Sequence, residues 1–292
     1  MLTQVLGEWG ARGQMLDVYG RRVFALSQGE ASGEPPLLIL HGFPTSSHDF
    51  AASLPMLSAR RRVVLLDFPG FGLSEKNPKD SFSLVEQAEA AVEVWRQLGV
   101  THGHLLAHDY GTSVATELLA RRERRLLPIA FDSVTLCNGS MHIELAKVSL
   151  TQKILLHRRA GPWMARLGSR RFFGSRMRKI FGQPDAVSDA AIDEMWAAIQ
   201  HDDGHLRLPA ISQYLHERTH HWQRWIGALQ RLDLPVHVVW GQRDPIAVPA
   251  IAEQLAIEIP QAQLSWLPEL GHYPILENPR TWSATVNGFL EQ

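Results

Sequence analysis

Leu105-Leu106-Ala107-His108-Asp109-Tyr110-Gly111-Thr112-Ser113 reads as a short apolar strand, a sharp turn and the opening of a helix. Ala107 and Gly111 stand two residues to either side of the centre, and both are small. A turn that aims a reactive side chain out of a strand–helix junction is tight and strained, so it requires small flanking residues. The residue at the tip is Asp109, not Ser or Cys. A carboxylate in that position shifts the expected chemistry from acyl transfer towards attack on carbon.

Upstream, Leu37-Leu38-Ile39-Leu40 and Val63-Val64-Leu65-Leu66 are continuous apolar runs. Such runs are expected of strands buried on both faces of a sheet. The first ends in His41-Gly42-Phe43-Pro44, and Thr45 to Ser47 offer N-cap residues for a helix reaching about 58. The second ends in the Gly-rich Asp67-Phe68-Pro69-Gly70-Phe71-Gly72-Leu73-Ser74. Residues 83–98 carry helical periodicity and close at Gly99, 110 to about 124 form the helix behind the turn, and 131–137 form the next strand. At the start of the chain, 8–29 reads as a hairpin with strands at 15–19 and 22–27, and 29–36 as a polar loop.

Downstream the rhythm changes. Residues 139–225 hold no convincing strand and are helical, aromatic and basic, with Trp163, Phe172, Phe173, Trp196, Tyr214, Trp222 and Trp225. They read as an inserted helical cap. Strand and helix alternate again at 236–240, 249–256, 263–267 and 278–290. The expected fold is α/β, a mostly parallel sheet flanked by helices. Its core is 1–138 with 226–292, and its cap is 139–225. In such sheets the site lies beyond the carboxyl ends of the strands, where His41, Asp67, Asp109 and Asn138 fall.

Two later residues complete a constellation. Asp244 follows the 236–240 strand and His272 follows the 263–267 strand. Nucleophile, acid and histidine in that chain order can converge although far apart in sequence. Alone, an Asp in a turn or a His in a loop is structural more often than not. Jointly they specify a triad of Asp109, Asp244 and His272.

The motifs His-Gly-Phe-Pro at 41–44, Asp-Phe-Pro-Gly-Phe-Gly-Leu-Ser at 67–74, His-Asp-Tyr-Gly at 108–111, Asp-Pro at 244–245 and Gly-His-Tyr-Pro at 271–274 span nearly the whole core. On these residues the chain resembles α/β-hydrolases of the epoxide hydrolase and haloalkane dehalogenase branch. The resemblance implies a cofactor-independent hydrolase, with no metal. Asp109 attacks an epoxide carbon or an alkyl halide to give an ester, and His272, oriented by Asp244, activates a water. The backbone N–H groups of Phe43 and Tyr110 are the expected oxyanion donors. The resemblance also implies a cis peptide between Phe43 and Pro44.

Epoxide opening needs an acid for the leaving alkoxide, and the family uses a pair of cap tyrosines. Only Tyr214 among the four tyrosines lies in 139–225, and its bland reading is a packed helix residue. His216 or His157 could substitute for the absent second tyrosine. His41 and His108, beside the loop and the nucleophile, are the other expected substrate-binding residues. A halide site is less supported, because Tyr110 follows the nucleophile where dehalogenases usually carry Trp and fluoroacetate dehalogenases carry Arg. The alternatives are a haloalkane dehalogenase, a lyase or cofactor-free oxygenase with His272 as base, and a non-catalytic ligand-binding or signalling protein on the same fold. A sealed cap with no cavity beside Asp109 would favour the last.

Composition bounds the remaining readings. At 292 residues, with 45% apolar and 20% charged residues, the chain fits one large core with an insertion. A net charge of -1 gives no support for a nucleic-acid partner, so the expected partner is a small-molecule substrate. The single Cys137 sits in an apolar run and is expected to be a buried structural thiol. Residues 1–10 lack signal-peptide regions and no apolar run approaches a membrane span, so a soluble cytoplasmic protein is expected. Gly70-x-Gly72 with Ser74 reads as a turn, not a phosphate loop, because no Lys-Ser/Thr follows. His201, Asp202, Asp203 and His205 read as a helix-to-helix turn around Gly204, not a metal site. The basic, aromatic stretch 169–181 reads as a solvated helix face, with a membrane-surface or partner contact as the alternative.

Overall fold

The computed structural model describes residues 2–30 and 33–292. Met1 and positions 31 and 32 of the expected 29–36 loop lie outside the described residues. Eight strands form one sheet: β1 (Gln14–Val18), β2 (Arg21–Gln28), β3 (Leu37–Leu40), β4 (Val63–Leu66), β5 (His102–His108), β6 (Ala130–Cys137), β7 (Val236–Gly241) and β8 (Ala262–Leu267). Their order is β1-β2-β4-β3-β5-β6-β7-β8. The first two strands pair antiparallel, as do β2 and β4, and all later pairs are parallel. Each parallel step needs a crossover, and helices such as Leu84–Gln97 and Tyr110–Glu123 supply it.

Burial explains the apolar runs. In β3 all four residues are buried, with Leu38 and Leu40 in one hydrophobic cluster and Leu37 and Ile39 in another. In β4 Val64 and Leu66 join the first cluster, Val63 and Leu65 the second. The period of two thus sends alternate side chains into cores on opposite faces of the sheet. Each such side chain contributes about 1.5–3 kcal/mol of transfer free energy.

Two local expectations are corrected. Gln4–Ala11 is a helix preceding the hairpin, capped by the Thr3 side chain, which accepts from the Leu6 N–H at 3.2 Å. Gly7 and Gly10 weaken its propensity, but the cap and the burial of Leu6 and Trp9 offset that. The helix expected from 45 to 58 is instead a 3₁₀ turn, Ser47–Phe50, and a separate helix, Leu54–Leu57. Asp67 draws the Ser47 N–H to its side chain at 2.7 Å, and Pro55 has no N–H with which to continue a ladder. The closing helix is Pro279–Leu290, capped by Asn278 and preceded by the short Pro274–Glu277.

Between β6 and β7 the described residues form only helices and turns. Trp222–Gln230 runs across the expected boundary at 225/226 and buries Trp225, Ile226 and Leu229. Glu117 of the helix Tyr110–Glu123 ties it down: Oε2 accepts from Trp225 Nε1 at 2.8 Å and from Arg224, and Oε1 from Arg121 at 2.8 Å. A second anchor lies near His272. Met177, Phe181, Ile192 and Met195 cluster with Tyr273, and the His272 N–H donates to Ile180 O at 2.8 Å. The helical segment is therefore packed onto the loop that carries the histidine.

Candidate functional site

Asp109 stands at the turn with φ 44° and ψ −107°, outside the ordinary regions for a side-chain-bearing residue. The surroundings over-determine this strained conformation. Its N–H donates to Cys137 O at 3.1 Å, and its carbonyl accepts from the Thr112 hydroxyl at 2.6 Å. A Cβ at Gly111 would come 2.4 Å from Leu40 O, which is why the position after the turn carries no side chain. The helix Tyr110–Glu123 begins at the next residue, so its N-terminal dipole faces the carboxylate. Phe43 N–H donates to Asp109 Oδ2 at 2.9 Å, and the Phe43–Pro44 peptide is cis.

His272 faces this carboxylate from the other side. Its Nδ1 is 2.6 Å from Asp244 Oδ2, and its Nε2 is 3.7 Å from Asp109 Oδ1. Burial disfavours the imidazolium, but Asp244, by charge and hydrogen bond, and Asp109 outweigh it and push its pKa up to about 9. Asp244 is held in turn. Its Oδ1 accepts from the backbone N–H of Ile246 at 2.7 Å and of Ala247 at 3.0 Å, and its Oδ2 accepts from Asn138 Nδ2 at 2.7 Å.

The other expected residues fall into different places. Tyr110 is fully buried, its ring against Phe68, Phe71 and Tyr214, so only its backbone can serve the carboxylate. Tyr214 packs its ring on Phe43 and Tyr110, and its hydroxyl accepts from Gln152 Nε2 at 3.3 Å. His41 is buried, donating from Nδ1 to Gly42 O at 2.8 Å and accepting at Nε2 from the Phe68 N–H at 3.1 Å. His108 donates from Nε2 to His272 O at 2.7 Å, and burial, then the neighbouring His272, push its pKa down to about 4. Both rings are thus neutral braces behind the loops.

A cavity of about 340 Å³ opens beside the array. Asp109, His272, Phe43 and Pro44 form one end, and Gln152, Leu155, Met164, Phe172, Phe173 and Trp196 are among the other walls. His41, His108, Tyr110 and Tyr214 are not part of its lining. Such a site suits an apolar small molecule whose reactive atom reaches the one carboxylate.

The model of the alpha/beta hydrolase fold family matches residues 35–279. The chain belongs to that family. Its likeness to two relatives extends over almost the whole length. It is 33% identical to the mesoderm-specific transcript protein of Mus musculus over 297 aligned positions, covering 99% of this chain and 89% of the relative. It is 37% identical to the putative hydrolase LipZ of Mycobacterium tuberculosis, covering 99% of each. Among solved structures, a haloalkane dehalogenase loop variant from Bradyrhizobium elkanii superposes with a TM-score of 0.80 at 20% identity, covering 96% of each chain. A thermophilic esterase from Thermogutta terrifontis gives 0.73 at 21% identity, covering 96% of this chain and 98% of that one. At these identities the family's fold is shared, while the chemistry follows from the site.

Several residues that brace the site were not singled out by the sequence reading. Asn138 was visible only as one more polar residue at a strand end; its Oδ1 also accepts from the Gly241 N–H at 2.9 Å. Arg218, buried, donates from Nε to Ser113 Oγ at 2.6 Å and lies over the Tyr214 ring. Tyr273 donates its hydroxyl to Phe43 O at 2.8 Å, linking the residue after His272 to the loop that binds Asp109. Cys137 is buried and burial pushes its thiol pKa up, as expected of a structural thiol. Residues 201–207 form a 3₁₀ turn with Asp202 and Asp203 at positive φ.

Proposed function

We propose that this α/β-hydrolase cleaves small apolar electrophiles, epoxides first, through an ester on Asp109. The observation that carries the reading is the array itself: Phe43 N–H on Oδ2 of Asp109, His272 facing Oδ1, and Asp244 behind His272. Oδ1 attacks the substrate carbon as the leaving carbon–oxygen bond breaks. Oδ2 stays with the Phe43 N–H, the Tyr110 N–H being assigned as the second donor, and becomes the ester carbonyl oxygen.

At rest His272 is protonated, its pKa being about 9, and it helps hold Asp109 as a carboxylate. Ester formation removes the Asp109 charge, and with it one of the interactions that favours the imidazolium. His272 then releases its proton to solvent and takes one from water, and the hydroxide attacks Cγ of Asp109. The oxyanion on Oδ2 meets the Phe43 N–H already in place, which limits the reorganisation needed. Collapse frees the diol and restores the carboxylate.

Ring opening requires a proton for the leaving alkoxide. Tyr214, whose ring abuts Phe43 and whose hydroxyl bonds Gln152 of the cavity wall, is proposed for that role, which requires its hydroxyl, behind the wall in this structure, to turn into the cavity when substrate binds. His41 and His108 act as positioning residues. Residues 139–225 act as a cap that supplies the apolar walls and excludes water, with 1–138 and 226–292 as the core. A cavity reaching Asp109 favours an enzyme over a sealed binding protein on this fold.

The test is turnover of a panel of aliphatic and aryl epoxides, with diols measured by chromatography and halide release measured for matched haloalkanes. Diol formation that Asp109→Asn abolishes supports the reading. Halide release without diols would assign the dehalogenase alternative.

A further inference from the structure

Between Glu144 and Asp185 the chain carries ten Lys and Arg and no Asp or Glu, although the whole chain has 29 basic against 30 acidic residues. The rest of the molecule is therefore net acidic, and the positive charge is concentrated in one part of the helical segment. Arg170 and Arg178 are neutralised locally by Asp189 and Asp193. Lys153, Arg158, Arg159, Arg166, Arg171 and Lys179 are exposed and make no ion pair among the described residues. These cations lie on Leu150–Leu156, Ala160–Leu167, Arg170–Arg178 and the turns around them.

The same elements expose large apolar side chains. Leu150 is 65% exposed, Trp163 64% and Leu167 76%. Trp163 and Leu167 are four apart on one helix and so share a face. Phe172, on the next helix, is partly exposed with the Arg176 guanidinium over its ring at 5.2 Å. Exposed apolar residues are unremarkable singly, but here they are set among unpaired cations. A soluble acidic partner would be matched by the charges alone. Charges interspersed with an exposed indole and leucines match a surface that is anionic outside and apolar just beneath, as a lipid headgroup layer is. The cavity adds a reason: Ser169, Phe172, Arg176 and Lys179 line it and are exposed, so its mouth lies on this side.

We infer that this basic, aromatic face docks peripherally on anionic lipid surfaces, bringing the cavity mouth against the source of apolar substrates. Docking does not depend on what Asp109 does, so the two readings fail separately. The experiment is sedimentation of the full chain with vesicles of phosphatidylcholine alone or with about a third phosphatidylglycerol. The face predicts binding to the mixed vesicles at low salt, little to the neutral ones, and loss of binding at high salt. Arg166→Glu with Arg171→Glu, both outside the cavity, should lower partitioning at least about tenfold. Trp163→Ser with Leu167→Ser should weaken it comparably while circular dichroism stays unchanged. No binding to mixed vesicles would overturn the inference. So would equal binding to neutral vesicles, or binding that the apolar pair does not affect, which would point to recognition of acidic macromolecules by charge alone.

Discussion

The Phe43 N–H donates to Oδ2 of Asp109 at 2.9 Å, while the other carboxylate oxygen, Oδ1, faces His272 Nε2 at 3.7 Å. The two oxygens of one carboxylate are thereby made unequal. One is bound by a fixed backbone donor and the other stands beside the histidine. This inequality is what an ester mechanism needs, because the attacking oxygen and the future oxyanion are different atoms.

The charge balance around His272 gives the first prediction. Asp244 is the larger favourable contributor to its raised pKa and Asp109 a smaller one. Asp109→Asn should lower the pKa of His272 from about 9, and Asp244→Asn should lower it further. Imidazole chemical shifts followed by NMR through a pH titration measure both. An unchanged value in Asp109→Asn would mean the two residues are not coupled.

Stability should fall on the alkaline side. Asp49 is fully buried, and burial pushes its pKa up from 3.8 to about 8. Between those values the unfolded chain loses this proton and the folded chain keeps it, so stability declines as pH rises. His272, raised from 6.5 to about 9, adds a decline in the same direction over that window. Its contribution is complete below 6.5 and is lost as pH rises through about 9. Asp49→Asn, which keeps an acceptor for the Thr45 hydroxyl, should match the native protein near pH 4 and be the more stable at pH 8. Urea unfolding at the two pH values measures the difference.

Tyr214 distinguishes the two substrate classes. A carboxylate can displace a halide without an acid, whereas an epoxide oxygen leaves far better once protonated. Tyr214→Phe should slow alkylation of Asp109 by epoxides by about 10²–10⁴-fold and leave alkylation by haloalkanes near the native rate. Single-turnover kinetics with each class supply the comparison. Equal slowing of both would assign Tyr214 to packing against Phe43 alone.

The geometry of the turn predicts opposite effects for two glycines. Gly111→Ala places a Cβ 2.4 Å from Leu40 O, so backbone must shift, at a cost of about 1–3 kcal/mol or more. Gly288, inside the helix Pro279–Leu290, has nothing within 4 Å of such a Cβ. Gly288→Ala should stabilise by about 0.5–1 kcal/mol through backbone entropy. Thermal unfolding of the two variants is the check.

The sheet was legible because runs such as Leu37–Leu40 are buried on both faces and admit few other readings. The convergence of Asp109, Asp244 and His272 was legible because each follows a strand, and parallel strands bring their carboxyl ends together. Side-chain direction was not. His108 precedes the nucleophile, but the alternation of β5 turns it away with Leu106, beneath the His272 backbone. His41 was expected near substrate and is instead satisfied by Gly42 and Phe68. The helix Gln4–Ala11 was hidden by its two glycines, since its stability comes from burial of Trp9 in the second core, a tertiary effect. Asn138 could not be read as the brace of Asp244, because nothing local marks a contact 106 residues away.

Asp109 as the nucleophile is tested most directly by trapping the ester. His272→Gln retains the attacking carboxylate and removes the base, so the intermediate should accumulate. Incubation of this variant with reactive epoxides, followed by proteolysis and mass spectrometry, should find the peptide containing Asp109 heavier by the mass of one substrate molecule. The Asp109→Asn, His272→Gln double variant should carry no such mass. A full panel of epoxides and haloalkanes that leaves Asp109 unmodified, or an adduct on any other residue, would contradict the account.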